Sequence, residues 1–232
     1  NVARSKVGKG RKIIVEHSSL NVAKPMHVGH LRNAAIGDAL ANCYEAAGYK
    51  VTRWNYLGDW GTQFGKIITA YKHWGSKKEV AEDPIGVLTA LYVRFHKEAK
   101  EDDALDDEAR AEFKKLEQGD RENRALWLWF KKESLKVFAA INKRLGITFD
   151  TEIGESFFEK EMKSITAELV RKNIAMRSEG ALIVPLDLDG AGLPPAMVEK
   201  SDGASTYLTR DLALLRYRLK KPGRAEHDGF LD

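Results

Sequence analysis

The sequence is short of cysteine: Cys43 is the only one in 232 residues. That excludes an internal disulfide framework and any cysteine-rich zinc centre, and it fits a reducing compartment such as the cytoplasm. No apolar run approaches the ~18–20 residues of a membrane span. No apolar stretch near the start reads as a secretory signal, so no membrane partner is expected. A glycine-rich phosphate loop is missing, which argues against a Walker-type NTPase. Internal repeats and low-complexity tracts are absent. A dominant charge is missing too: 38 Lys+Arg against 34 Asp+Glu leaves +4, which permits an anionic partner without demanding one. What remains is globular, with 43% hydrophobic and 31% charged residues, and long enough for one or two domains.

Both ends are abrupt. Asn1 stands where a Met would start a gene product, and Arg11-Lys12-Ile13-Ile14-Val15-Glu16 reads as a strand almost at once. The tail from Pro222 to Asp232 has no clear period. A piece of a longer protein is the expectation.

Along the chain the elements alternate at first. Ile13 to Glu16 has the apolar continuity of a buried parallel strand. A turn-rich stretch runs from His17 to Gly29, and a helix follows through Leu31 to Ala47, stopped by Gly48. Lys50 to Tyr56 reads as a strand, and Thr62 to Trp74 as a helix closed by Gly75. Such a βαβα order builds a parallel sheet. From Pro84 to Leu145 the pattern turns wholly helical, with three helices. The acidic run from Asp102 to Glu108 suits a helix start, and Trp127, Phe130 and Phe138 follow one helical face, as core residues do. Strands return as Ile147 to Phe149, a hairpin around Ser178-Glu179-Gly180, Ala196 to Lys200 and Ser205 to Leu208. Helices are expected from Phe157 to Lys172 and from Thr209, as N-cap, to Lys221. Three segments result: 1–75, a first half of a nucleotide-binding fold; 76–146, a helical insertion; and 147–232, a mixed α/β segment returning to that fold, incomplete at its end.

The chemistry concentrates between Glu16 and Asp38. This stretch leaves the first strand and opens the first helix, the place where open parallel sheets bind ligands. Free N–H groups and the positive dipole end of a helix suit phosphate there. His27 and His30 flank Gly29, which lets a nucleotide approach the backbone. Two imidazoles can donate hydrogen bonds as charge builds on a phosphate, and Lys24 adds a mobile cation. A His-x-x-His pair could also hold a metal, but no third ligand is evident and the zincin glutamate is missing.

His27-Val28-Gly29-His30 matches the "HIGH" signature of class I aminoacyl-tRNA synthetases. Its flanks resemble the arginyl-tRNA synthetase family in particular. Those flanks are Glu16-His17-Ser18-Ser19, Asn21 to Arg32, Asn55 to Gly65 and Lys200 to Asp211. The resemblance runs over nearly the whole chain. It implies an α/β fold: a partial Rossmann-like parallel sheet of class I synthetase type with a helical insertion. It also implies activation of L-arginine by ATP, with magnesium as the ATP counter-ion and no protein metal site, followed by transfer to arginine tRNA.

By the same resemblance, His27, Gly29, His30 and Lys24 contact ATP, and His27, His30 and Lys24 serve catalysis. Lys24 stands in for the second class I signature, Lys-Met-Ser-Lys, which many members of the family lack. Lys160 to Ser164 looks superficially like that signature, but its order differs and it sits in an expected helix. Glu16, Ser19, Asn21, His30, Tyr207 and Asp211 match the family's arginine-binding positions. A planar, permanently charged guanidinium calls for carboxylates in fork geometry, which suits Glu16 and Asp211. The bland alternatives are an ion pair of Glu16 with Arg53 and a dipole role for Asp211 at its helix start. Asp59-Trp60 either lines the same crevice or packs the second helix. Leu20 departs from the family's usual proline, which loosens that loop.

Two basic stretches remain: Lys6, Lys9, Arg11 and Lys12, then Arg210, Arg216, Arg218, Lys220, Lys221 and Arg224. They read as solvated faces or as tRNA phosphate contacts. Two other functions stay open at this point: a smaller HxGH nucleotidylyltransferase, and an inactive RNA- or protein-binding relative.

Overall fold

The computed structural model describes residues 5–186, 190, 192–201, 203–220 and 230–231. It forms two compact units, one ending at Gly154 but including the last short strand, the other beginning at Glu155.

The first unit is built on β1 (Lys12–Glu16), α1 (Val28–Ala46) and β2 (Lys50–Leu57). β1 and β2 run parallel, with Lys12 opposite Lys50 and Glu16 opposite Trp54. Ile13, Ile14 and Val15 are buried, as a central parallel strand requires. β3 (Thr151–Gly154) pairs parallel to β2 on one side, and β7 (Phe230–Leu231) parallel to β1 on the other. α1 turns only small residues inward, namely Ala34, Gly37 and Ala41. A methyl on Gly37 would meet the His17 ring, with its Cδ2 at 2.9 Å and its Cβ closer still. The missing side chain therefore lets the helix lie close against the end of β1.

The helices that follow are α2 (Gln63–Trp74), α3 (Lys77–Glu82), α4 (Pro84–Glu98), α5 (Ala104–Glu117) and α6 (Arg121–Leu145). Their starts are written locally. The Asp83 side chain accepts from Gly86 N–H at 3.0 Å with Pro84 at the first helical position, and Asp120 accepts from Asn123 N–H at 3.0 Å. Phe64, Ile67, Ile68, Leu88, Phe95, Leu116, Phe130 and Phe138 are buried among them. One carboxylate is buried too. Glu112 accepts from Lys72 at 2.6 Å, Lys115 at 2.6 Å and Asn123 Nδ2 at 2.7 Å. Burial alone would raise its pKa, but these three donors outweigh it and bring the group to about 2.

The second unit holds a 3₁₀ turn (Glu155–Phe158), α7 (Glu159–Arg171), β4 (Met176–Ser178), β5 (Ala181–Val184), β6 (Ala196–Glu199) and α8 (Tyr207–Lys220). Its three strands are antiparallel neighbours in the order β4-β5-β6, around a small core of Ala175, Leu182 and Val198.

Three elements depart from the sequence reading. The strand expected at Ile147 to Phe149 starts later, at Thr151, because Asp150 is used as a joint. Its carboxylate accepts from Arg53 N–H at 2.7 Å and its own N–H donates to the Arg53 carbonyl at 3.0 Å. Ser205 makes one isolated bridge to Glu199, and helix rather than strand begins at Tyr207. Thr209 therefore lies inside that helix, where its hydroxyl donates to the Val198 carbonyl instead of capping. The short helix α3 has too few residues to show a period. Lys221 and Arg224 lie outside the described residues.

Candidate active site

β1 ends at Glu16, which is half-buried. Beyond it His17 N–H still donates to the Trp54 carbonyl at 3.1 Å. Then the backbone turns left-handed: Ser18 has φ 72° and Ser19 φ 50°. Ser19 N–H donates to Asn55 Oδ1 at 3.1 Å, and the buried Asn55 amide donates to Glu152 at 2.9 Å. Asn55 on β2 thus fixes the turn at Ser19, and Glu152 on β3 fixes which way Asn55 faces.

The loop next runs beside the end of β2. Asn21 bridges in parallel to Gly58, Gly58 N–H donates to the Leu20 carbonyl at 3.0 Å, and Val22 N–H donates to the Gly58 carbonyl at 3.0 Å. Leu20 is almost wholly buried. At Ala23 the backbone is left-handed again, φ 62°, and its N–H donates to Ser134 Oγ on α6 at 3.1 Å. Such non-glycine conformations cost about 1–3 kcal/mol each and persist where the surroundings enforce them.

His27 is the N-cap of α1. Its Nδ1 accepts from Gly29 N–H at 3.1 Å, and His30 Nδ1 accepts from His27 N–H at 3.3 Å, a reciprocal capping box. The two rings lie 3.8 Å apart, centre to centre. Burial first, then the neighbouring His27, lowers the pKa of His30. Lys24 is half-buried, its ammonium 5.6 Å from the centre of the Tyr92 ring on α4. Seven of the expected site residues, Glu16, Ser19, Asn21, Lys24, His27, Gly29 and His30, thus share one loop and helix start at the carboxyl end of β1.

Tyr207 and Asp211 belong to the second unit. They stand one helical turn apart on the first two turns of α8, Tyr207 exposed and Asp211 half-buried. Residues four apart share a helix face.

Several candidates have other employment. Arg53 is taken up by Glu45 at 2.6 Å and Asn42 at 2.7 Å, with Asp38 at 3.7 Å. Asp59 and Trp60 are buried. Trp127 Nε1 donates to the Asp59 carbonyl at 2.8 Å, and Lys131 pairs with the Asp59 carboxylate. That turn therefore anchors α6. Lys160 to Ser164 lies within α7.

The sequence did not single out His17, Asn55, Tyr92 or Ser134. His17 is buried against Phe149, ring centres 4.9 Å apart, and neither ring nitrogen has a hydrogen-bond partner among the described residues. Burial lowers its pKa, Asp38 opposes and Arg53 reinforces. A signal existed only for Asn55, an amide in an otherwise apolar strand end. Among the described residues no group of three or more His, Cys, Asp or Glu side chains could hold a metal ion.

An open parallel sheet takes its ligands beyond the carboxyl ends of its strands, and a helix start there suits an anion. Residues 1–226 match the model for tRNA synthetases class I (R), catalytic domain, and the chain belongs to that family. It is 53% identical over 211 residues to the arginine–tRNA ligase of Leuconostoc mesenteroides, covering 91% of this chain and 38% of the relative. It is 50% identical over 218 residues to that of Clostridioides difficile, covering 94% and 38%. Among solved structures it is similar to Plasmodium falciparum arginyl-tRNA synthetase, with TM-score 0.73, 30% identity and coverage of 91% and 35%. It is also similar to the Thermus thermophilus enzyme, with TM-score 0.66, 26% identity and coverage of 90% and 36%. The chain spans about 38% of the length of the first two curated relatives. Family membership sets aside the smaller HxGH nucleotidylyltransferase.

Proposed function

We propose that this chain carries the arginine-activating part of an arginine–tRNA ligase. An arginine carboxylate oxygen attacks the α-phosphorus of ATP, the bond to the β-phosphate breaks, and pyrophosphate leaves with magnesium as its counter-ion. A terminal ribose hydroxyl of arginine tRNA then attacks the carbonyl of the adenylate, and AMP leaves. His27 and His30 hydrogen-bond the phosphates as charge builds, Gly29 admits the nucleotide, and Lys24 neutralises the leaving pyrophosphate. Glu16, Tyr207 and Asp211 take the guanidinium, while Ser19, Asn21 and His30 take the arginine backbone groups. Residues 1–75 and 147–232 belong to the catalytic fold and 76–146 to an insertion. The reaction belongs in the cytoplasm, and no helix among the described residues is long and apolar enough to cross a membrane.

The observation that carries the reading is the paired His27 and His30 at the start of α1, 3.8 Å apart, on the same short loop as Glu16 and Lys24. Arginine-dependent pyrophosphate exchange by a full-length synthetase containing this segment tests it. His27→Asn and His30→Asn should each lower kcat by about 10²–10³, the scale of one lost transition-state donor, and Asp211→Asn should raise KM for arginine. Exchange indifferent to both histidines would overturn the reading. The chain alone is expected to exchange weakly or not at all, since the crevice of such a sheet is walled by two halves.

A further inference from the structure

We infer that Ser134 on α6 and Tyr92 on α4 are positioning residues that aim Lys24. Ala23 immediately precedes Lys24 and is left-handed without being glycine, φ 62°, so its surroundings must hold it. The Ser134 hydroxyl donates to the Phe130 carbonyl at 2.8 Å, which points its hydrogen away and leaves a lone pair for Ala23 N–H at 3.1 Å. Both residues are buried, Ser134 at 0% and Ala23 at 1% exposure, so water cannot replace that bond. Lys24 N–H closes the turn onto the Asn21 carbonyl at 3.3 Å. The departure of the Lys24 side chain is thus set from α6.

Its far end is set from α4. The ammonium lies 5.6 Å from the Tyr92 ring centre, within cation–π reach. The same ring meets His96 edge-on at 4.6 Å; burial lowers the His96 pKa, Lys66, Lys100 and Lys24 reinforce it, and Asp106 opposes. The aromatic face is a seat for the Lys24 ammonium. The helices between β2 and β3 thereby fix the backbone and the tip of one side chain on the loop before His27.

The inference rests on Lys24 acting on the ATP phosphates. A double-mutant cycle in a full-length synthetase carrying this segment tests both together, read by arginine-dependent pyrophosphate exchange. Ser134→Ala and Tyr92→Leu should each lower kcat about tenfold with KM for arginine changed less than about twofold. In a Lys24→Ala background each should add less than about twofold, because a residue acting through Lys24 has nothing left to act on. Tyr92→Phe keeps the ring and should retain wild-type kcat. Effects that multiply in full in the Lys24→Ala background would overturn the inference while leaving Lys24 its role. A Lys24→Ala enzyme of undiminished kcat would overturn both. If Ser134→Ala does not fold, the half-buried Tyr92 decides through Tyr92→Leu and Tyr92→Phe.

Discussion

Replacing Gly58 by alanine should injure arginine binding without replacing any residue assigned to arginine. The position has no left-handed φ, so alanine suits its backbone. The conflict is purely steric: an added methyl would meet Asn21 Oδ1 far inside contact distance and Asn21 Cγ at 3.0 Å. The Asn21 side chain must rotate away, since its backbone is tied through the Gly58–Leu20 and Val22–Gly58 hydrogen bonds, both 3.0 Å. If Asn21 holds a charged group of the substrate, its displacement removes one hydrogen bond of about 1.5–3 kcal/mol. That corresponds to a rise in KM for arginine of roughly tenfold to 150-fold. Pyrophosphate exchange at saturating ATP gives the number, and the melting temperature should fall little, because the strained atom is the end of a flexible side chain. The Asn21→Gly, Gly58→Ala double variant removes the clash and should bind arginine no worse than Asn21→Gly alone. An unchanged KM for arginine in a folded Gly58→Ala enzyme would refute the assignment of Asn21.

Gly37→Ala should destabilise by about 1–3 kcal/mol through overpacking. Its methyl would strike the His17 side chain at Cβ and at the ring atoms Cγ and Cδ2, the last 2.9 Å away, and thermal denaturation reads the loss. Glu112 should govern acid stability. Its folded pKa of about 2 lies below the ordinary 4.5, so its contribution, roughly 3 kcal/mol from that gap, is present above pH 4.5 and lost as pH falls toward 2. The stability difference between wild type and Glu112→Gln should shrink across that interval, and a constant difference would contradict the hydrogen-bond geometry. His17, whose pKa burial lowers, should lose stability as pH falls below its ordinary 6.5, and His17→Leu should remove that loss.

The sequence revealed elements where one local signal dominated. β1 followed from apolar continuity, β2 from alternation with β-branched and aromatic residues, and α4 from Pro84. The start of α1 was less visible, because the cap is His27, outside the usual Ser, Thr, Asp and Asn set, and because the helix buries only Ala34, Gly37 and Ala41. Thr209 looked like a cap because sequence shows a hydroxyl but not which carbonyl receives it. At the site, contiguous residues were legible: Glu16 to His30 run from the end of β1 through one loop into the start of α1. Its supports were not, since Asn55 lies 36 residues from Ser19 and Ser134 lies 111 from Ala23. No local pattern relates such pairs; only the parallel pairing of β1 with β2 and the return of α6 do.

The distribution of strain explains why those distant supports matter. Within six positions, Ser18, Ser19 and Ala23 all take left-handed conformations, each unfavourable by about 1–3 kcal/mol. Behind them, both His17 ring nitrogens and the Ser18 hydroxyl are buried with no hydrogen-bond partner among the described residues, an arrangement a segment selected for stability alone would avoid. The loop therefore does not hold its own shape. Asn55 holds it at Ser19, Gly58 at Leu20 and Val22, and Ser134 at Ala23. Each tie falls beside an expected ligand: Ser19 itself, then Asn21, then Lys24. A site proposed for the backbone groups of an amino acid and for phosphates gains from such fixing, because groups already held in place lose little freedom when the ligand arrives. Substitutions in β2 or α6 that leave the fold intact should accordingly act first on the loop and only then on the rest of the unit.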